Sequence, residues 1–270
     1  MKDDLIPFLT WAGGKRWLVT KHPELFPLEF NTYLEPFLGS GAVFFALNPE
    51  RAILNDLNAE LINTYETIKN DYLRVENYLN IHHKRHSKEY YYKIRNSRTR
   101  TPYTKAAKFI YLNRTCFNGL YRVNKLGQFN VPIGSKKNVI LETDNFKLVS
   151  KVLQNVEFSV SDFETIVNRA NPDDFLFIDP PYTINHNENG FIKYNEKIFS
   201  WQDQERLAKS LVRARDRGVK ILATNANHES VKSLYLDLDF NCTVLKRFSG
   251  IASDGSKRAK YEELIIKANY

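Results

Sequence analysis

Cysteine is nearly absent from this 270-residue chain, which carries only Cys116 and Cys242. Two thiols build no disulfide framework, and such sparse usage fits a reducing, cytoplasmic compartment. No run of about 18 apolar residues occurs, so no membrane-spanning helix is expected. The opening MKDDLIPFLTW lacks an apolar stretch behind a basic start, so no secretory signal is expected there. Internal repeats and low-complexity segments are also missing. The phosphate-binding loop GxxxxGK-Ser/Thr is not met at WAGGKR (11–16), where Arg16 follows Lys15 and no first glycine stands at the required offset. That sets an ATPase aside, although Trp11, Gly13, Gly14 and Lys15 still suggest close backbone approach beside an aromatic and a cation.

What is abundant is positive charge and aromatic bulk. Lys and Arg number 39 against 31 Asp and Glu, a formal net charge of +8. Nucleic acid is the first candidate partner for such a chain, and a basic but otherwise ordinary enzyme fits the charge equally well. The 18 Phe and 15 Tyr can fill a sizeable core.

Periodicity predicts an α/β chain. YLEP (33–36) reads as a strand, FLGSG (37–41) as a tight turn, AVFFAL as a helix, and RAILNDLN (51–58) as a strand ending in Asp56. That order opens a doubly wound sheet. Helical spacing follows over 59–79. VEFSVSDF (156–163), DFLFID (174–179), VKILATN (219–225), CTVLKRF (242–248) and YEELIIKAN (261–269) read as further strands, and 201–218 as an amphipathic helix stopped by Gly218. Between about 58 and 145 the rhythm breaks. HHKRHSKEYYYKIRNSRTRTPYTKAAK (82–108) holds a single acid, Glu89, and NKLGQF predicts a hairpin turn with Gly127 at positive φ.

Two stretches carry chemistry. The glycines of FLGSG let a backbone approach a ligand, and Asp56 at the next strand end can accept both hydroxyls of a ribose. The third glycine of the dinucleotide fingerprint is missing, and many such turns bind nothing. The second stretch is Asp179-Pro180-Pro181-Tyr182, at the carboxyl end of a hydrophobic strand. Asp179 and the carbonyl of Pro180 are two acceptors held still by proline, and Tyr182 offers a face for a heterocycle. Two acceptors aimed at one planar NH₂ would turn an exocyclic amine into a nucleophile. The bland alternative is a rigid turn with an exposed tyrosine.

WAGGK, EPFLGSGAVFF, NDLN, YLNR–FNGLYRVN–QFNVPIG, DPPY and SDGSKRAKYEELI, in this order, make the chain resemble the Dam-type DNA adenine-N6 methyltransferases, over essentially its whole length. The resemblance implies a Rossmann-like α/β sheet with an inserted, mostly helical recognition domain and hairpin. Its parts would be 1–57 (donor binding), 58–144 (target recognition) and 145–270 (the DPPY part). It implies S-adenosyl-L-methionine as methyl donor and a flipped-out adenine of double-stranded DNA, within GATC, as acceptor. A monomer without a metal is implied as well, working in the cytoplasm on the nucleoid.

Residue by residue, the resemblance assigns Trp11, Lys15, Phe37, Gly39, Asp56, Asp162, Phe163 and Asp179 to the donor. It makes Asp179, Pro180 and Tyr182 catalytic. Arg122 aligns with an arginine used on guanine, Asn118 with an adjacent contact, and Phe117 with an aromatic that enters the base stack. Leu120 and Pro132 line the same hairpin, and Arg114, Lys136, Lys257 and Arg258 join the DNA contacts. Where some relatives carry an Arg-Tyr pair after VPFG, this chain has Ser135 and Lys136.

Lys84, Arg85, Lys88, Lys93, Arg95, Arg98 and Arg100 are candidate phosphate partners, or simply a solvated basic face. His82, His83 and His86 have no acid or thiol beside them and do not predict a metal site. No Pro-Cys or PCxxC occurs, which argues against cytosine-C5 methylation and zinc-dependent deamination. A cytosine-N4 or RNA amino-methyltransferase of the same fold, or a DNA-binding protein with a vestigial donor pocket, remain the alternatives.

Overall fold

The computed structural model describes residues 5–124, 126–183, 199–248 and 260–270. The basic loop expected to carry Lys257 and Arg258 lies outside them. The strands are β1 (Tyr33–Glu35), β2 (Ala52–Asn55), β3 (Val156–Ser159), β4 (Phe175–Ile178), β5 (Lys220–Ala226), β6 (Asn241–Phe248) and β7 (Lys260–Ala268). The helices are α1 (Arg16–Lys21), α2 (Ala42–Leu47), α3 (Ala59–Arg85), α4 (Lys88–Asn96), α5 (Pro102–Thr115), α6 (Phe146–Val152), α7 (Phe163–Arg169), α8 (Trp201–Asp216) and α9 (Glu229–Leu236). The strands order as β3-β2-β1-β4-β5-β7-β6 in one seven-stranded sheet. β1, β4 and β5 pair in parallel, as do β2 and β3, whereas β7 is antiparallel to both β5 and β6. The fold is α/β with a helical insertion, and among the described residues no helix is long and apolar enough to cross a membrane.

The chain divides into two compact units, residues 1–23 with 38–160 and residues 24–37 with 161–270. In the first, α3 packs along α5 and α6, burying Leu61, Ile62, Tyr65, Ile68, Val75 and Leu79. The helix starts at Asn58, whose side chain accepts from the N–H groups of Glu60 and Leu61. It runs past residue 79 to Arg85, with a break at Asp71 (φ −152°, ψ 52°). The basic stretch is helical too. Ser87 caps α4, and Thr101, followed by Pro102, caps α5. The hairpin after α5 is closed by Phe117 N–H to Pro132 O (2.9 Å) and Asn124 N–H to Gln128 O (2.8 Å), and Gly127 has φ +71° at its tip.

In the second unit every residue of β4 is buried, as are Ile221 to Asn225 of β5, with Leu207, Ala208, Leu211 and Ala214 of α8 in the same core. That continuous burial is what a parallel central strand requires. The strands expected over 51–58 and 156–163 are both shorter than their reading, the first spanning only Ala52–Asn55. β3 stops at Ser159, and Asp162 accepts from the Glu164 N–H (2.9 Å) to cap α7, so Phe163 is helical. A capping acid ahead of Glu164 competes with strand extension.

Two histidines of the insertion, His82 and His86, turn toward tyrosines. His82, 7% exposed, lies 2.9 Å from the Tyr90 hydroxyl and stacks on Tyr111 at 4.9 Å. His86 lies 2.9 Å from the Tyr111 hydroxyl. Burial, and then the Arg85 charge, hold the His82 pKa down to about 4. The unfolded chain therefore takes up this proton at a higher pH than the folded one. Stability is full above pH ~6.5 and drains as pH falls toward about 4, by roughly 2 kcal/mol between pH 6.5 and 5. His82→Phe should flatten that slope in pH-dependent denaturant melts. An unchanged slope would assign it to other groups.

Candidate active site

The first unit gathers Trp11, Lys15, Gly39 and Asp56 around the FLGSG turn. Gly39 has φ +49°, and a Cβ on it would stand 2.8 Å from Trp11 Cδ1. Only glycine lets the turn pass beneath the indole. Asp56 fastens the turn to the end of β2. Its Oδ2 accepts from Gly39 N–H (3.1 Å) and its Oδ1 from Asn58 N–H (2.9 Å), while Tyr65 donates to Gly39 O (3.3 Å). Burial raises the Asp56 pKa, and the two N–H groups oppose that rise. Trp11 stacks on Tyr121 (5.7 Å) and Phe109 (6.4 Å). Lys15 is 3% exposed, and its ammonium donates to Gly13 O at 2.7 Å. Gly39→Ala should lower stability by about 1–3 kcal/mol through the Trp11 clash. An unaltered denaturant midpoint would contradict this.

The second unit brings Phe37, Asp162 and Phe163 together. Phe37 stacks on Phe163 at 5.6 Å, and Phe199 packs against both at 5.7 Å. Arg206 of α8 lies 4.3 Å over the Phe163 ring. It also grips both Asp162 oxygens (2.6 and 2.8 Å), with Glu164 (3.1 Å) and Asp203 (3.0 Å) as further partners. The Arg206 hydrogen bonds hold the Asp162 carboxyl below the usual carboxylate range. Arg206 was not singled out in the sequence, where it is one cation on the polar face of a helix.

The DPPY stretch leaves β4 within the same unit. Asp179 Oδ1 accepts from the Thr224 hydroxyl at 2.7 Å. Pro180 is buried, and Asp179 and Tyr182 are half-buried. Burial, then the Asp179 and Glu263 carboxylates, push the Tyr182 hydroxyl well above its ordinary range. Tyr33 of the neighbouring β1 donates to Glu35 Oε2 at 2.9 Å. Thr224 and Glu263 carry no motif that sequence reading could use.

The hairpin presents the residues expected to meet DNA. Phe117 is 54% exposed, Asn118 is exposed at φ +54°, and Pro132 and Lys136 are exposed. Leu120 is half-buried. Arg122 Nε donates to Asn130 Oδ1 at 2.8 Å across the hairpin, and Asn130 N–H returns to Arg122 O at 3.1 Å. Arg114 corrects its expected role. It is 3% exposed, and its guanidinium holds Asp144 with two 2.6 Å bonds plus the carbonyls of Phe8 and Val139. All five donors are spent inside the unit, so none is left for a phosphate. Next to it, Asn113 pairs with both Thr10 N–H (2.9 Å) and Thr10 O (2.8 Å) and donates to Gly119 O (3.2 Å). One side chain thus ties the segment before Trp11 to the hairpin.

The model of the D12 class N6 adenine-specific DNA methyltransferases matches residues 11–251. The chain is 36% identical over 278 residues to the type II methyltransferase M1.LlaDCHI of Lactococcus lactis subsp. cremoris, covering 100% of this chain and 97% of that protein. It is 36% identical to the type II methyltransferase M.MjaIII of Methanocaldococcus jannaschii, covering 96% and 98%. It is 33% identical to a DNA adenine methylase of Haemophilus influenzae, covering 96% and 92%.

Proposed function

The chain belongs to the D12 class of N6 adenine-specific DNA methyltransferases, which use S-adenosyl-L-methionine, and we propose that it methylates the adenine of GATC. The observation that carries this specificity is the FNGLYRVN–QFNVPIG hairpin, with Arg122 anchored through Nε on Asn130. That anchor leaves the two terminal nitrogens as a fork of the kind that reads guanine O6 and N7. Phe117 fills the place vacated in the base stack, and Asn118, Leu120, Pro132 and Lys136 complete the contact. Residues 58–144 form the recognition part, and 1–57 and 145–270 the catalytic parts.

For the donor, the residues suit its chemistry. Asp56 offers an acid for the ribose, Gly39 a backbone without a Cβ, and Trp11 and Lys15 an aromatic and a cation. Phe37, Phe163 and Asp162 offer rings and an acceptor for its adenine. The donor supplies a methyl group on a sulfonium. Asp179 and the Pro180 carbonyl accept the two hydrogens of the target amine and stabilise the charge that grows on nitrogen as it attacks. Extracting the base from the duplex costs a few kcal/mol. Stacking on Tyr182 returns about 1–3 kcal/mol of it.

Initial rates on duplexes carrying GATC, and on duplexes with each of its bases replaced, test the specificity. Every replacement should slow methylation strongly. Equal rates on an unrelated site would overturn GATC while leaving adenine methylation intact. Arg122→Ala should lose about 1–3 kcal/mol of discrimination, roughly 5- to 150-fold, at one guanine. Uniform weakening across all duplexes would make Arg122 a phosphate contact instead. The similarity to two type II methyltransferases supports, as a second reading, a restriction companion with this or another target.

A further inference from the structure

Helix α8 reads WQDQERLAKSLVRARD and buries Leu207, Ala208, Leu211 and Ala214. Asp203, Arg206 and Arg213 stand three and seven residues apart and share another face, from which Arg206 and Arg213 both reach Glu164 of α7. Three carboxylates, Asp162, Glu164 and Asp203, thus meet around the Arg206 guanidinium. Without that cation they would repel one another. All of these residues belong to the second unit.

A partly exposed ion pair usually contributes little, but this one is two-pronged and belongs to a network, the geometry in which such pairs do hold. Arg206 Nη1 donates to Asp162 Oδ1 at 2.6 Å and Nη2 to Oδ2 at 2.8 Å, a grip that sets the plane of the carboxylate. The Glu164 N–H takes a second place on Oδ1 at 2.9 Å. A carboxylate has about four acceptor places, so Oδ2, which among the described residues meets Arg206 alone, keeps one. The Asp162 side chain is 41% exposed, so a ligand can reach that place. The same guanidinium lies 4.3 Å over Phe163, the ring that stacks on Phe37. One arginine therefore holds both the acceptor and a ring of the proposed adenine site.

We infer that Arg206 is a positioning residue for the adenine end of the donor: its fork sets the Asp162 carboxylate so that Oδ2 accepts from the exocyclic amine, which makes the site prefer adenine to a purine without that amine. This rests on the place given to Asp162 under the proposed function. Without the fork the carboxylate stays tied to the start of α7 through the Glu164 N–H, but its plane is released and Asp203 and Glu164 repel it.

Calorimetric titration of the full chain tests this without any methyl transfer. The two ligands are S-adenosylhomocysteine and its analogue with hydrogen in place of the exocyclic amine. Wild type should bind the adenine form about 10- to 100-fold more tightly, as a hydrogen bond to a charged group allows. Arg206→Ala should lose about tenfold affinity for S-adenosylhomocysteine and hold the analogue within about threefold, so that the preference shrinks about tenfold. Arg206→Lys keeps the charge without the planar fork and should restore little of that preference. Equal weakening of both ligands would make Arg206 a merely structural residue and overturn the inference. So would an unchanged preference in Arg206→Ala, or its full return in Arg206→Lys. Asp162→Ala in the same titrations separates the two failures. A preference lost in Asp162→Ala but intact in Arg206→Ala sinks only the positioning role. A preference that survives Asp162→Ala, or that wild type lacks, sinks the reading beneath it.

Discussion

Asp179→Ala is expected to lower methyl transfer by about 10²- to 10³-fold or more while leaving the protein folded. The magnitude follows from removing a preorganised group aimed at charge that develops only in the transition state. The fold should survive because the side chain stands just beyond β4, whose Phe175, Leu176, Phe177 and Ile178 keep their burial. Thr224 loses its acceptor, at a cost of about 1–3 kcal/mol, and retains Ile178 O within 3.5 Å. Asp179→Asn keeps the shape and one acceptor but removes the charge, so its rate should lie between the two. Single-turnover transfer to a GATC duplex measures this, with duplex and donor affinities followed in parallel. A loss of less than about tenfold in the alanine variant would remove Asp179 from the chemistry.

Arg114→Ala should produce the largest loss of stability. The variant leaves Asp144, 7% exposed at its side chain, as a buried carboxylate without its cation. Breaking such a pair costs about 3–5 kcal/mol. Arg114→Lys should rescue little, because an ammonium cannot reproduce a planar fork that reaches Asp144, Phe8 O and Val139 O together. Denaturant midpoints check this. A residue that gripped DNA would give the opposite pattern, an unchanged midpoint with weakened, more salt-tolerant binding.

The two variants mark where sequence reading reaches its limit. β4 with DPPY, the FLGSG turn with α2, and the hairpin around Gly127 are local patterns, each complete within about ten residues, and each was legible. Asp162 reads in the sequence as a strand end and not as a helix cap, because Ser-Asp-Phe-Glu satisfies a strand end and a helix start alike. Arg114 looks in sequence like any other cation of a basic stretch. Only the fold reveals that its partner, Asp144, is 30 residues away. Thr224 meets Asp179 across 45 residues, Arg206 meets Asp162 across 44, and Asn113 meets Thr10 across 103. Side chains that hold a site in place are chosen by neighbours in space, and nothing in their immediate sequence marks them.

One product map tests the proposed GATC-directed adenine methylation most directly. A plasmid incubated with the full chain and S-adenosyl-L-methionine should carry N6-methyladenine at GATC and at no other adenine-containing sequence. Methylation concentrated at a different sequence would contradict the assignment of the hairpin.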